Sequence, residues 1–196
     1  SMGDITLDDG TFPPEDICAY YDQTGKLPTT SGCTIYDFES VFNRIFDEDS
    51  DSLILHLAYS AQTTCSYHNA ILAAEDKPYK NNIRSVDTKQ VSVGQLVVVT
   101  AVASWLKHNP EATLDEAAVA AEKISKQIKM CFVPQDLNYL RAGGRCSNTA
   151  ALVGNILNLH PCVEVVDGKL IAVKKYRGRM SRIAHTVLCD FSNKYN

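Results

Sequence analysis

The hydrophobic residues of the chain form blocks with helical spacing and short continuous runs. Between residues 35 and 46 the apolar positions recur every three or four residues, which places them on one face of a helix. The run LILHLA favours a buried strand, and HNAILAAE after it favours a helix. NIRSVDT predicts a second strand, and residues 91–108 predict a long helix buried in the core. The order strand, helix, strand, helix predicts an α/β fold with parallel strands.

Local signals complete the predicted order of elements. Pro14 and Gly25 bound a short first helix, and Thr113 with Glu116 forms a capping box at the start of another. CFVP is typical of a strand, while QDLNYLRAGG and NTAALVGNILNLH favour helices. CVEVVDGKLIAVKKYR predicts a hairpin with Asp167 and Gly168 at its turn. The last segment, from SRIAHTV onwards, begins as a helix.

Composition and charge exclude several classes of protein. The 196 residues carry a net charge of −4, so no general basic field exists to attract nucleic acid. Polar residues interrupt the longest apolar region, which is therefore interpreted as a core helix rather than a membrane span. The seven cysteines are scattered without a CxxC pair or a histidine at zinc-ligand spacing. We expect reduced thiols in a cytoplasmic protein, with no metal or cofactor.

Three segments offer candidate chemistry: TTSGCT, YSAQTTCSY and RAGGR. The second lies after a predicted strand and before a predicted helix, where parallel sheets collect ligands. Hydroxyl groups and backbone N–H groups at the N-terminus of a helix favour a carboxylate or a phosphate. Each segment also has a structural interpretation, because Thr64 or Ser66 can cap a helix, TTSGCT can form a turn, and Gly143-Gly144 can end a helix.

Signatures of catalysis are few. The sequence contains no GxSxG, HExxH, GxxxxGK[ST] or GxGxxG motif. Cys65 and His68 offer a nucleophile and a base for a small cysteine-dependent hydrolase, but no third group is evident to orient the histidine. The sequence therefore favours a protein that is not an enzyme.

The three segments resemble conserved blocks of the DegV family of bacterial fatty-acid-binding proteins. LPTTSGCTIYDF is similar to that family's LPxTSQPSxxEF loop, and LAYSAQTTCSYHNAILAAE is similar to its IAFSSGLSGTYNSAxLAAE segment. SVDTKQVSVGQ resembles its V-[IV]-D-S-x-x-x-S-x-G pattern. The long block from DLNYLRAGGR to KKYRGR is close to family sequence almost throughout. Together these segments cover most of the chain between residues 27 and 179.

The resemblance implies two α/β lobes that hold an acyl chain in a tunnel at their junction. The parallel-sheet lobe would span residues 1–129, and a smaller, partial α+β lobe would span residues 130–196. It further implies a long-chain fatty acid ligand, such as palmitate, stearate or oleate, whose carboxylate is presented to a separate fatty acid kinase. The tunnel walls would include residues 91–105 and 150–159.

Residue roles also follow from the resemblance. Thr30 matches the carboxylate-binding threonine, Thr64 replaces a serine, and Cys65 stands where the family has a glycine. Arg177 matches an arginine near the kinase-contact surface. The expected ligand-binding residues are Thr30, Ser31, Ser60, Thr64, Cys65, Ser66, Gly144 and Arg145.

Two departures leave alternatives open. Gln62 and Cys65 replace glycines, and their Cβ atoms can narrow the head-group pocket or change its ligand. One alternative is therefore a degenerate relative that binds a different small ligand, or none. The chain also resembles the middle of a family member, because neither the family's first strand with its DS motif nor its later histidine motif is recognisable. His185 does not match that motif. A sheet edge left open by a missing strand would favour pairing with a second copy of the chain.

Overall fold

The computed structural model describes residues 1–8, 10–134, 140, 144–145 and 159–195. Six helices and five strands are defined in these residues, together with a short 3₁₀ turn at Lys80–Asn82. The helices are α1 (Pro14–Thr24), α2 (Ile35–Glu48), α3 (Ser66–Glu75), α4 (Ser92–His108), α5 (Leu114–Gln127) and α6 (Met180–Tyr195). The strands are β1 (Ile54–Ala58), β2 (Ile83–Asp87), β3 (Cys131–Phe132), β4 (Leu159–Val166) and β5 (Lys169–Arg177).

The first sheet confirms the predicted α/β class. Strands β1 and β2 are parallel and pair in register from Ile54 opposite Ile83 to Ala58 opposite Asp87. The connection between them contains α3, as a parallel pair requires. Both strands therefore end at the same edge of the sheet, and the loops that follow them lie side by side.

Helices cover both faces of this sheet. On one face Phe42 and Phe46 of α2 pack with three buried alanines of α3 and with Ile83. On the other, Val86 packs with Val98 of α4 and Ala121 of α5. Alternate strand residues point to opposite faces, and this separates the two clusters. The first turns of α2 and α5 are fixed by capping boxes, Thr34 with Asp37 and the predicted Thr113 with Glu116.

The second sheet is antiparallel, with the order β3-β4-β5. The predicted hairpin is confirmed: Val166 pairs with Lys169, and the two turn residues both have positive φ, 47° at Asp167 and 81° at Gly168. Helix α6 packs on this sheet through Ile183 and Val187. The buried Glu164 accepts hydrogen bonds from Lys194 Nζ at 2.7 Å and Tyr195 Oη at 2.8 Å, which ties the end of α6 to β4.

Three predictions about elements need correction or fall outside the description. Helix α4 is not buried all round: Val93 and Leu96 are 61% and 60% exposed, because α4 contacts the core through a narrow stripe of Gly94, Val98 and Val102. The predicted helix NTAALVGNILNLH is wrong at its last two residues, since Leu159 and His160 belong to β4 and pair with β5. The other residues of that prediction, and most of QDLNYLRAGG, lie outside the described residues.

Candidate functional site

The site begins where β1 and β2 end. Thr88 donates its hydroxyl proton to the carbonyl of Ala58 at 2.7 Å. One carboxylate oxygen of Asp87 accepts the backbone N–H of Ala61 at 3.2 Å and that of Lys89 at 2.9 Å. Asp87, the last residue of β2, thereby fixes both the loop after β1 and the loop after β2. It holds the two loops at the edge where parallel sheets bind ligands.

Ser60 fixes this loop from the other side. Its fully buried hydroxyl donates to the carbonyl of Gly168 at 2.8 Å and accepts the N–H of Gln62 at 3.3 Å. A Cβ on Gly168 would lie 2.4 Å from Ser60 Oγ, so the hairpin turn reaches the loop only because this residue is glycine. The resemblance assigns Ser60 to the ligand, but here its proton is donated to the hairpin.

The two hydroxyl-rich loops meet at Gly32. A Cβ on Gly32 would lie 2.7 Å from Thr64 Oγ1, 2.9 Å from Ser66 Oγ and 3.1 Å from Cys65 Sγ. Ser66 Oγ accepts the N–H of Cys33 at 3.2 Å, and Thr64 Oγ1 lies 3.0 Å from Ser66 Oγ. The structure thus brings together the TTSGCT and TTCS segments, which are about 30 residues apart in the sequence.

These hydroxyls surround the N-terminus of α3. Cys65 is the N-cap residue and makes no side-chain capping bond, so the predicted cap from Thr64 or Ser66 is not made at this position. Instead Thr64 Oγ1 accepts the N–H of Ser66 at 3.3 Å, in a local turn. The N–H groups of the first turn carry partial positive charge and favour an anion.

The structure also gives positions for the remaining predicted residues. Thr30 and Ser31 are exposed, two residues and one residue before Gly32. Gly144 is exposed with φ of 65°, and the exposed Arg145 donates from Nε to the carbonyl of Thr63 at 3.5 Å. The structure therefore places Arg145, the last residue of RAGGR, against the loop that contains Thr63 and Thr64. Arg177 is exposed at the last position of β5.

The hydrolase alternative gains no geometric support. Cys65 Sγ accepts a hydrogen bond from Asn69 Nδ2 at 3.5 Å, whereas the ring of His68 packs edge-on against Tyr67 with centroids 5.2 Å apart. No Cys65–His68 hydrogen bond is found among the described residues. Nor does that part of the chain contain a cluster of histidine, cysteine and carboxylate side chains able to hold a metal ion.

Burial affects two tyrosines beside the site. It raises the pKa of Tyr59, and a hydrogen bond with the backbone of Ser92 partly opposes this effect. The pKa of Tyr67 is raised first by burial and then by the negative charges of Asp87 and Glu122. Both phenols are neutral hydrogen-bonding groups at physiological pH, so neither repels a bound carboxylate.

Sequence reasoning missed several supporting residues. Asp87, Asn69 and Gly168 organise the loops, yet none was a candidate. Asp87 had a usable signal, since it ends a predicted strand one residue before Thr88. Asn69 and Gly168 had none, because the Cys33 carbonyl that Asn69 contacts and the Ser60 hydroxyl that Gly168 contacts lie 36 and 108 residues away in the sequence.

Comparison with known proteins places the chain in a family. A family model described as "Uncharacterised protein, DegV family" matches residues 1–193. The chain belongs to the DegV family, as its sequence motifs indicate. In the part of the chain that the structure describes, no helix is both long enough and apolar enough to cross a membrane.

Two curated relatives are 30% identical to the chain. A fatty acid-binding protein of Thermotoga maritima aligns over 170 residues, 84% of this chain and 57% of its own length. The DegV domain-containing protein SCO2569 of Streptomyces coelicolor aligns over 184 residues, 93% of this chain and 63% of its own. The chain thus spans about three fifths of the length of these relatives.

Solved structures share the fold. A DegV family protein from Thermus thermophilus, described by its fatty acid binding, superposes with a TM-score of 0.81 at 25% identity, over 97% of this chain and 66% of that one. A stearic acid-binding protein from Eubacterium ventriosum superposes with a TM-score of 0.78 at 24% identity, over 98% and 66%. These names describe binding proteins rather than enzymes.

Proposed function

We propose that this chain binds a long-chain fatty acid, with the carboxylate at the junction of the TTSGCT and TTCS loops. The observation that carries the proposal is the approach of Gly32 to Thr64 and Ser66 at the N-terminus of α3. Two sets of hydroxyls, the first-turn N–H groups and the guanidinium of Arg145 form a surface suited to a single negative charge. The binding described for the T. maritima and T. thermophilus relatives supports the choice of ligand.

The acyl chain would supply most of the affinity. Burying one methylene contributes about 0.8 kcal/mol, so a 16-carbon tail contributes on the order of 10 kcal/mol before the costs of binding. The exposed Val93, Leu96 and Val97 of α4 offer apolar surface for it, in a helix that starts beside Tyr59. The proposed tunnel between the two lobes, 1–129 and 130–196, would cover the tail.

The biological role we propose is that of a cytoplasmic carrier, possessing no catalytic activity, which presents the carboxylate to a separate fatty acid kinase. Arg177 is the proposed contact with that kinase, and its exposure at the end of β5 is consistent with this role. The described cysteines form no disulfide, which is consistent with the reducing cytoplasm that we propose as the location. Association of two copies remains a prediction from the sequence.

Head-group binding is tested with threonine variants. Thr30→Ala and Thr64→Ala each remove a hydroxyl that donates to the carboxylate, and we expect roughly 10- to 100-fold weaker binding of palmitate or oleate by calorimetry. Thr24→Ala is the matched control, because its hydroxyl bonds to Tyr20 at the end of α1. Unchanged affinity in both site variants, with the fold retained, would remove the basis for this assignment.

The kinase contact needs a separate readout. Arg177→Glu is expected to leave fatty acid affinity unchanged and to lower phosphorylation of the bound acid by a bacterial fatty acid kinase. Lys126→Glu, on the exposed side of α5, is the charge-matched control. Equal phosphorylation with both variants would exclude Arg177 from the kinase surface.

A further inference from the structure

Two exposed cysteines lie on the two loops that form the proposed head-group site. Cys33 follows Gly32 in the first loop, and Cys65 is the N-cap of α3 in the second. They are 32 positions apart in the sequence, and the fold brings their loops into contact. By resemblance Cys65 occupies a glycine position and Cys33 lies in a loop that departs from the family pattern, so neither cysteine follows that pattern.

One side chain joins the two cysteines. Asn69 Nδ2 donates to the Cys33 carbonyl at 2.8 Å and to Cys65 Sγ at 3.5 Å. Because both bonds share Asn69 Nδ2, Cys65 Sγ lies no more than about 6.3 Å from the Cys33 carbonyl oxygen, so the sulfur is close to the backbone of Cys33. The backbone of Cys33 is held from its other side too, because its N–H donates to Ser66 Oγ at 3.2 Å.

The neighbouring glycine gives an independent measure of this proximity. A Cβ placed on Gly32, the residue before Cys33, would lie 3.1 Å from Cys65 Sγ. The backbone of the first loop is thus already packed against the sulfur of the second. An S–S bond requires the Cys33 sulfur to reach Cys65 Sγ across this contact, and both cysteines are exposed.

We propose that Cys33 and Cys65 are a peroxide-oxidisable dithiol whose disulfide ties the two loops together and lowers the affinity of the site between them. The dithiol itself does not depend on the proposed function; its effect on the ligand does. A transient disulfide of this kind is the form in which cytosolic proteins use thiols as redox sensors. The buried Cys162, whose pKa is raised by burial to about 12, illustrates the opposite, inert environment.

The chemistry balances with a hydroperoxide as the oxidant. In the first step the sulfur of Cys65 attacks an oxygen of hydrogen peroxide. An S–O bond forms, the O–O bond breaks and water leaves. The sulfur of Cys33 then attacks the sulfenic sulfur, so that the S–S bond forms, the S–O bond breaks and a second water leaves. Two thiols lose two electrons and two protons, and one hydrogen peroxide becomes two waters.

The disulfide would act on Thr64 and Ser66 directly. Gly32 already approaches both hydroxyls, and Cys65 lies between them in sequence. A disulfide between Cys33 and Cys65 fixes the distance between the two loops, so the loops can no longer move apart to admit a carboxylate. We expect roughly tenfold weaker fatty acid binding in the oxidised protein, recovered on reduction.

The test uses the full chain, treated with hydrogen peroxide at low molar excess and then digested with trypsin. Cleavage after Lys26, Arg44 and Lys80 leaves Cys33 and Cys65 each as the sole cysteine of its peptide, so a cross-linked pair identifies the bond. Cys33→Ser and Cys65→Ser should each abolish this cross-linked peptide. Cys18→Ser and Cys189→Ser, at other exposed cysteines, should retain it.

Affinity for oleate is then measured before oxidation, after it, and after reduction with dithiothreitol. Cross-linked peptide together with a reversible loss of affinity supports the proposal. Absence of the Cys33–Cys65 peptide, or measurable and equal affinities of the oxidised and reduced proteins, overturns it. If the cross-link forms but neither state binds oleate, the dithiol is supported and the proposed function is overturned instead.

Discussion

The contact between the hairpin turn and the loop after β1 gives a sharp prediction through Gly168→Ala. Gly168 has φ of 81°, and an added Cβ would lie 2.4 Å from the buried Ser60 Oγ and 3.2 Å from Gln62 Cγ. The substitution therefore incurs both a backbone cost and a steric one. The steric part forces apart Ser60 and the Gly168 carbonyl, which are hydrogen-bonded at 2.8 Å.

The magnitude follows from these two parts. Placing alanine in the left-handed region costs about 1–2 kcal/mol. Weakening a buried hydrogen bond adds about 1–3 kcal/mol. The matched control is Gly25→Ala, because Gly25 has φ of 66° and nothing within 4 Å of an added Cβ, so this variant incurs the backbone cost alone.

Urea unfolding of the two variants measures the difference. We expect Gly168→Ala to lower the free energy of unfolding by at least about 1 kcal/mol more than Gly25→Ala, which corresponds to a Tm lower by about 2–4 °C. In a Ser60→Ala background the clash is relieved, and the cost of Gly168→Ala should fall towards that of the control. Equal costs for the two glycines, or strict additivity with Ser60→Ala, would refute the reasoning.

Two further predictions concern charge. Lys194→Met should lower Tm more than Lys77→Met does. Lys194 is a partner of Glu164, which is only 5% exposed, whereas Glu39 beside Lys77 is in contact with water. Equal shifts in Tm for the two variants would contradict this prediction. Burial lowers the pKa of His56, so the unfolded chain binds the proton more tightly, and stability present above pH about 6.5 should be lost as the pH falls towards the lowered pKa. The free energy of unfolding, measured by urea titrations between pH 7.5 and 5.5, should depend less steeply on pH in His56→Leu than in the original protein. An unchanged pH dependence would show that His56 does not contribute to it.

Local patterns predicted the parallel α/β core well. The spacing of apolar residues and the length of each apolar run distinguish helices from strands within a short stretch of sequence. The capping box at Thr113 and the turn at Asp167-Gly168 were predicted for the same reason. The exposure of Val93 and Leu96 was not, since an apolar helix gives no sign of how wide a stripe its neighbours cover.

The site was predicted only in part. Resemblance to a family selected Thr64 and Arg145, and the structure places Arg145 against the loop of Thr64. The family resemblance did not reveal that Ser60 donates to the Gly168 carbonyl, because a hydroxyl group after a strand can bind either a ligand or a distant backbone carbonyl. Thr34 was grouped with the candidate hydroxyls, yet its side chain caps α2 through Asp37. Long-range partners of this kind depend on the assembled fold.

The bond between Ser60 and Gly168 also bears on when the site forms during synthesis. Its two ends are 108 residues apart, so closing the contact requires nearly the whole chain. A nascent chain that has emerged only as far as α5 holds both parallel strands but not the hairpin that fixes the loop after β1. The binding surface should therefore mature after the sheet that carries it, and nascent chains still on the ribosome should take up little ligand.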